Sequence, residues 1–307
     1  MNNCSLTRFL FILLIALSVL PVGLSAHRPK VGLVLGGGGA KGAAEIGVLK
    51  WIEKAQTPID CIAGTSIGAL VGGLYSVGYT SSELDSIFRC QQWYDVFAGG
   101  ALRGKGVGLL SGDSVVSLMD SLISRKLGKA NTDLDFDSLP IPFRCVAVDM
   151  RSMREVVLRR GSLSRAICSS MSIPLLFKPM KWDTLALVDG GVLNNLPVDV
   201  AREKGANVVI AVDLTQSKPE NFIPERIRKI GDDLPLSEIV GWLIRRPDQK
   251  KYTENCRDAD LYIHPRLPEY GVADFDVEKI DDMIARGEKA GRKAYSKLKR
   301  IRRNLAK

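Results

Sequence analysis

The chain has 307 residues, of which 46% are hydrophobic and 25% charged, with a formal net charge of +9. This is ordinary globular composition, long enough for one large domain or two small ones, and it excludes a disordered or low-complexity chain. The residues from Arg286 to Lys307 hold ten Lys/Arg and one acid, Glu288, so the rest of the chain is near neutral, and nucleic acid is not the expected partner of an exported chain.

The first 26 residues read as an export signal. Arg8 precedes an apolar run, Phe9–Leu20, which is followed by Pro21, Gly23, Ser25 and Ala26. A short charged region, an apolar core and small residues at the cut are the marks of a secretory leader. The run is short for a span of about 20 residues, so cleavage after Ala26 or Ser25 is the reading rather than an anchor. The chain is then periplasmic or secreted. Five cysteines follow, Cys61, Cys90, Cys145, Cys168 and Cys256, with no C-x-x-C pair. Neither a zinc site nor a redox motif is expected, and the odd count leaves at least one thiol free.

Val31–Gly42 reads V-G-L-V-L-G-G-G-G-A-K-G. Val31, Leu33, Val34 and Leu35 predict a short buried strand, and Ala43, Ala44, Ile46, Val48, Leu49 and Ile52 continue at helical spacing. A glycine turn between strand and helix lets the backbone approach a ligand, and the helix N-terminus behind it favours an anion. Gly37-x-Gly39-x-x-Gly42 fits a dinucleotide turn, an oxyanion hole or a tight strand–helix connection, and the turn alone does not choose.

Pro58–Ala63 predicts a second strand. It runs into Gly64-Thr65-Ser66-Ile67-Gly68 and a small-residue helix, Ala69–Tyr75. A G-x-S-x-G turn sets its serine on a sharp bend with the hydroxyl exposed. Ser82–Cys90 predicts a helix capped by Ser81 or Ser82. Gln91–Gly112 is glycine-rich with exposed apolar groups between, as in a lid, a channel wall or a connector. Ser114–Leu127 and Leu163–Ser170 predict helices, and Phe143–Asp149 and Glu155–Leu158 adjacent strands. Leu185–Val188 predicts a strand that ends on Asp189-Gly190-Gly191. A Pro-started helix over Pro197–Lys204, an apolar strand over Val208–Asp213 and a last strand over Leu261–Ile263 follow. Strands alternating with helices predict a mostly parallel sheet covered on both faces. The closing basic helix places Ala285, Ala290, Ala294, Leu298, Ile301 and Leu305 on one stripe. Its cations form a solvated face or meet an anionic membrane surface.

Ser66 needs a proton acceptor. The chain has two histidines: His27 at the leader's end and His264, which is next to no other motif. A Ser-His-Asp triad is therefore disfavoured by counting, and His264 is read as structural. Asp189 ends an apolar strand and precedes two glycines that permit close backbone approach. Asp149 and Asp213 also end strands and are read as capping or loop residues. A carboxylate is a weak base, yet it can accept the serine proton if it bonds the hydroxyl directly.

Gly37-Gly38-Gly39-Ala40-Lys41-Gly42, then Gly64-Thr65-Ser66-Ile67-Gly68, then Asp189-Gly190-Gly191 resembles the patatin-like phospholipases in motif and in order. The likeness runs from about Lys30 to Asp213 and includes the loop Ser170–Pro179. It implies a three-layer α/β/α fold and a carboxylic-ester hydrolase acting on phospholipid or other acyl-ester lipids, with no metal and no cofactor. It further implies Ser66 as nucleophile, Asp189 as proton acceptor, and the N–H groups of Gly37, Gly38 and Gly39 as oxyanion hole. The implied organisation is a leader at 1–26, a catalytic core at 30–213, its C-terminal part at 214–275 and a basic helix at 276–307. A dinucleotide-binding protein is the alternative, but Asp60 precedes the second strand instead of ending it. A non-catalytic lipid-binding module is the other.

Overall fold

The structure is a computed structural model that describes residues 28–99, 112–174, 176–215 and 249–305. The expected export signal and most of the glycine-rich stretch ahead of Gly112 lie outside the described residues.

Eight strands form the central sheet: β1 (Val31–Leu35), β2 (Cys61–Thr65), β4 (Phe143–Asp149), β5 (Arg154–Leu158), β7 (Met180–Trp182), β8 (Leu185–Asp189), β9 (Val208–Val212) and β10 (Leu261–Ile263). The two-residue strands β3 (Leu134–Asp135) and β6 (Arg160–Gly161) pair with each other apart from it. The order is β10-β9-β1-β2-β4-β8-β7, with β5 also on β4. From β10 to β4 the pairs are parallel; β5, β8 and β7 add antiparallel pairs.

Strands β1, β2 and β4 are buried along their whole length, as near-continuous apolar runs require. Val31, Leu33 and Leu35 of β1 join one core cluster, and Val34 joins the other. The larger cluster packs under α1 (Ala43–Ala55), α2 (Ile67–Ser76), α3 (Ser81–Phe88), α4 (Gln91–Tyr94), α5 (Asp113–Leu127), α6 (Leu163–Ser170) and α9 (Val277–Leu305). The smaller packs under α7 (Val198–Glu203) and α8 (Gln249–Asp258). The result is three layers, α/β/α.

Local differences from the sequence reading have physical causes. Strand β2 starts at Cys61, paired with Gly32, because Thr57–Asp60 are still crossing from helix to sheet. Helix α3 is capped by Thr80, one residue earlier than expected. Its side chain accepts from the Glu83 N–H while Glu83 reaches back to the Thr80 N–H, a full capping box. The start of the glycine-rich stretch is not an exposed apolar loop. Trp93 and Phe97 are buried and extend a ring stack, with centroids at 3.9 Å for Phe88–Trp93, 4.4 Å for Trp93–Phe97 and 5.3 Å for Phe97–Phe275.

The basic helix is a core element. Its buried stripe is Ile280, Met283, Ile284, Gly287, Gly291, Ala294 and Leu298, whereas Ala285 faces solvent. Ala294 and Leu298 lie on it as the sequence pattern expects, but glycines carry no hydrophobic signal, so the pattern missed Gly287 and Gly291. Helix α9 runs alongside α1 in the same direction: Gly287 lies on Ala44, Gly291 on Trp51, and Thr57 Oγ1 donates to the Leu298 carbonyl at 3.2 Å. Arg302 bonds Gln56 Oε1 at 2.6 Å, so the most basic end of α9 sits where the strands begin.

A Cβ on Gly287 would collide with the Ala44 carbonyl. Helix propensity alone predicts that Gly287→Ala stabilises by about 1 kcal/mol. The backbone contact reverses the sign, and a loss of about 1–3 kcal/mol is expected. Urea midpoints of the two proteins measure it.

Candidate active site

The site arises where two strands meet head to head. Strand β5 occupies one edge of β4 along Cys145–Asp149. Strand β2 pairs with Phe143–Val146 and β8 with Ala147–Asp149. Both overlap β5 in register, so both must use the other edge of β4. One runs parallel and the other antiparallel, so their C-terminal ends converge. Thr65 sits opposite Val146 and Asp189 opposite Ala147. Residues 123 apart in sequence are thereby brought together, with Ser66 Oγ donating to Asp189 Oδ2 at 2.6 Å.

Ser66 turns from β2 into α2 with φ 56° and ψ −125°. That conformation is strained for a residue with a side chain, and surrounding contacts hold it. Its N–H donates to Ser170 Oγ at 2.8 Å, and Ser170 Oγ donates to the Val146 carbonyl at 2.5 Å. Thr65 Oγ1 donates to the Asn194 carbonyl at 2.8 Å. Gly64 and Gly68 are needed because a Cβ on Gly64 would strike the Gly68–Ala69 backbone and one on Gly68 would strike the Leu35 carbonyl. Ser66 Oγ thus lies at the N-terminus of a ten-residue helix, where developing negative charge is favoured.

Asp189 is buried. Its Oδ1 accepts the Gly191 N–H at 2.7 Å, and its own N–H donates to the Ser172 carbonyl at 2.9 Å. Burial pushes its carboxyl up to about 6, against the lowering effect of the Ser66 and Gly191 hydrogen bonds. A carboxylate of this kind is a stronger base than an exposed one and is still ionised at neutral pH. Gly190 packs on the Val146 carbonyl, where no side chain fits.

The glycine turn lies alongside. Gly37 lies against Ser66, and its N–H donates to the Asn195 carbonyl at 3.1 Å. Asn195 Nδ2 donates back to the Gly37 carbonyl at 3.1 Å. This two-bond clamp engages the Gly37 N–H, which the sequence reading expected in an oxyanion hole. Within the described residues the N–H groups of Gly38 and Gly39 make no hydrogen bond. Gly39 has φ +60°, and Val272 fills the space beside it. Lys41 and Gly42 are buried in the short 3-10 turn that leads into α1, and Gly42 packs on Ile67.

His264 belongs to a different network. Its Nδ1 is 3.1 Å from the Asp213 carbonyl oxygen and 3.7 Å from Asp213 Oδ2. Tyr252 and Tyr262 hydroxyls each donate to Asp213 Oδ2 at 2.5 Å. Burial pushes Asp213 upward, and these bonds with His264 outweigh it, so its carboxyl lies below the usual range. Asp149 caps the β4–β5 turn, accepting from Ser152 Oγ at 2.6 Å and Ala186 N at 3.1 Å. Sequence reasoning missed Ser170 and Asn195, whose roles depend on partners 104 and 158 residues away. It also missed Glu45, fully buried on the first turn of α1, where burial raises its carboxyl well above the usual range. The one sequence signal was an acid three residues past the glycine turn, among small apolar residues.

The family model for patatin-like phospholipases matches residues 33–202. The chain belongs to the patatin-like phospholipase family. Patatin-like phospholipase domain-containing protein 6 of Mus musculus is 34% identical over 186 residues, 60% of this chain and 13% of that protein. An NTE family protein of Mycobacterium tuberculosis is 31% identical over 283 residues, 86% of this chain and 46% of that one. The chain thus spans less than half the length of these relatives. VipD from Legionella pneumophila superposes with a TM-score of 0.50 at 14% identity, covering 88% of this chain and 67% of that one, a likeness of fold.

The raised carboxyl of Asp189 carries a stability cost. Between pH 3.8 and about 6 the native chain retains a proton here that the unfolded chain has lost. Stability contributed by this group therefore falls as pH rises through that window. Asp189→Asn should melt at a higher temperature than the parent at pH 8, and the gain should vanish near pH 4. Calorimetry at both pH values checks it.

Proposed function

We propose that the chain is a serine acyl hydrolase of phospholipid or other acyl-ester lipids, working through Ser66 and Asp189. The observation that carries this is the 2.6 Å hydrogen bond from Ser66 Oγ to a buried Asp189 carboxylate at a helix N-terminus. As Ser66 Oγ attacks the acyl carbonyl carbon, its proton passes to Asp189 Oδ2. The carbonyl oxygen becomes an oxyanion, stabilised by the N–H groups of Gly38 and Gly39 and by the α2 dipole. Collapse breaks the ester C–O bond, and the proton on Asp189 goes to the departing alcohol. Water then attacks the acyl-serine and gives a proton to Asp189; collapse breaks the bond between the acyl carbon and Ser66 Oγ, that proton returns from Asp189 to Ser66 Oγ, and the fatty acid leaves. Ser170 holds the Ser66 peptide, and Asn195 holds the glycine turn, so neither moves during the step.

The dinucleotide reading has less support. The Ala40 N–H, which would face a phosphate, donates to the Val272 carbonyl at 2.9 Å. Asp60, at the start of β2, is bound to Arg28 at 2.6 Å and to the Val31 N–H at 2.7 Å. The apolar run before Ala26 supports an exported enzyme.

Purified protein should hydrolyse a chromogenic short-chain ester and release fatty acid from a mixed phospholipid extract. Ser66→Ala should lose at least about 10³-fold in kcat and Asp189→Asn at least about 10²-fold, while His264→Ala stays within a few-fold. An organophosphonate should label Ser66. Retained turnover in Ser66→Ala, or a large loss in His264→Ala, overturns the dyad.

The kcat/KM of the parent should rise with pH through about 6, as Asp189 loses its proton. A profile flat from pH 5 to 8 contradicts Asp189 as the acceptor.

A further inference from the structure

We propose that the β4–β5 hairpin tip, Met150–Arg154, is the element that docks on an anionic phospholipid bilayer and brings the mouth of the site to it. This rests on the lipid-hydrolase reading for its purpose, but its evidence is separate.

Four large hydrophobic side chains are notably exposed among the described residues, and two of them, Met150 at 48% and Met153 at 55%, share this one turn. Scattered exposed apolar groups need no explanation, but a pair on one protruding turn does. Methionine side chains are flexible and adapt to an irregular apolar surface such as the headgroup–acyl boundary. Arg151 and Arg154 lie in the same turn and are exposed, and so is Lys181 on the neighbouring β7. The acids beside them are engaged elsewhere. Asp149 is turned inward onto Ser152 and Ala186, which hold its carboxyl near 2. Glu155 is paired with Lys251 at 2.5 Å. Exposed Asp183 is the one acid of the adjacent β7–β8 turn. The tip is therefore apolar at its end and cationic around it, which is the pattern an anionic bilayer complements.

The turn is also rigid. Met150 N–H donates to the Ala186 carbonyl at 2.8 Å, Met153 N–H to the Asp149 carbonyl at 2.8 Å, and Asp149 ties both ends together. The methionines are thus presented outward by a fixed scaffold, and the fold gains no burial from them.

Position decides between this tip and α9. Thr65 is opposite Val146, so Met150 lies four residues, about 13 Å, beyond the level of Thr65, past the Ser66 bend on the same end of the sheet. The basic end of α9 lies beside Gln56 and Thr57, where β1 and β2 begin. A bilayer held there would face away from Ser66.

Co-sedimentation of the full chain with phosphatidylglycerol–phosphatidylcholine vesicles tests the proposal, alongside hydrolysis of a soluble short-chain ester. Met150→Ser with Met153→Ser, and separately Arg151→Gln with Arg154→Gln and Lys181→Gln, should each weaken vesicle binding at least tenfold. The second set should also flatten the salt dependence. Lys293→Gln with Lys297→Gln and Arg300→Gln on α9 should bind within twofold of the parent. All three should keep short-chain ester turnover. Hairpin variants that bind like the parent, loss confined to the α9 variant, or a parent that ignores anionic vesicles overturns the proposal. A parent that binds through the hairpin but hydrolyses no ester supports the docking surface and instead removes the hydrolase reading.

Discussion

Everything at the candidate site depends on one edge of one strand. Strand β4 has room on that edge for β2 along its first half and β8 along its second, and the two arrive from opposite directions. Their ends cannot pair with each other, so each chain must leave the sheet at the junction. One leaves as the strained Ser66 bend into α2, the other as the Asp189 turn into Gly190 and Gly191. The gap at the junction is bridged by side chains in place of a ladder: Ser66 to Asp189, and Ser170 to both the Ser66 N–H and the Val146 carbonyl. An interruption of backbone pairing is where polar groups are available for chemistry, because the sheet does not consume them.

The junction is also where stability is given up. Ser66 holds a left-handed φ of 56°, and Asp189 is a buried carboxylate with a pKa raised to about 6. Each costs the fold on the order of 1–3 kcal/mol. The surroundings over-determine both. Two core clusters enclose the sheet, and the Asn195 clamp fixes the glycine turn from the same segment that carries Asp189. The turn, the serine and the aspartate are thereby held by a single hydrogen-bonded unit.

The long α9 belongs to this scaffold more than to the surface. It closes the α1 side of the sheet through Gly47 and Gly287, where the two backbones nearly touch, and through Gly291, which takes the Trp51 side chain. Val272, just ahead of α9, supplies the carbonyl that receives the Ala40 N–H of the glycine turn. The segment leading into α9 thus supports the wall of the site, while its cations gather at the far end. Along the strands the molecule runs from a basic base to the Ser66–Asp189 junction and the methionine-tipped hairpin.

The sequence by itself determined the motifs, their order and most elements, because each rests on local signals. Glycines mark a turn, apolar runs mark buried strands, and two histidines are too few for the usual triad. It led to Ser66 and Asp189 because both end apolar strands beside glycines. It did not determine that Gly37 is clamped, that Ser170 and Asn195 hold the turns, or that Trp93 and Phe97 are core residues. It placed Ala294 and Leu298 on the buried stripe of α9 but left out Gly287 and Gly291, which also carry it. These depend on partners more than a hundred residues away or on the absence of a side chain, and neither leaves a periodic trace. Only the tertiary structure decided which N–H groups stay free and which end of the molecule faces outward beside the site. Both follow from how two strands share one edge of β4.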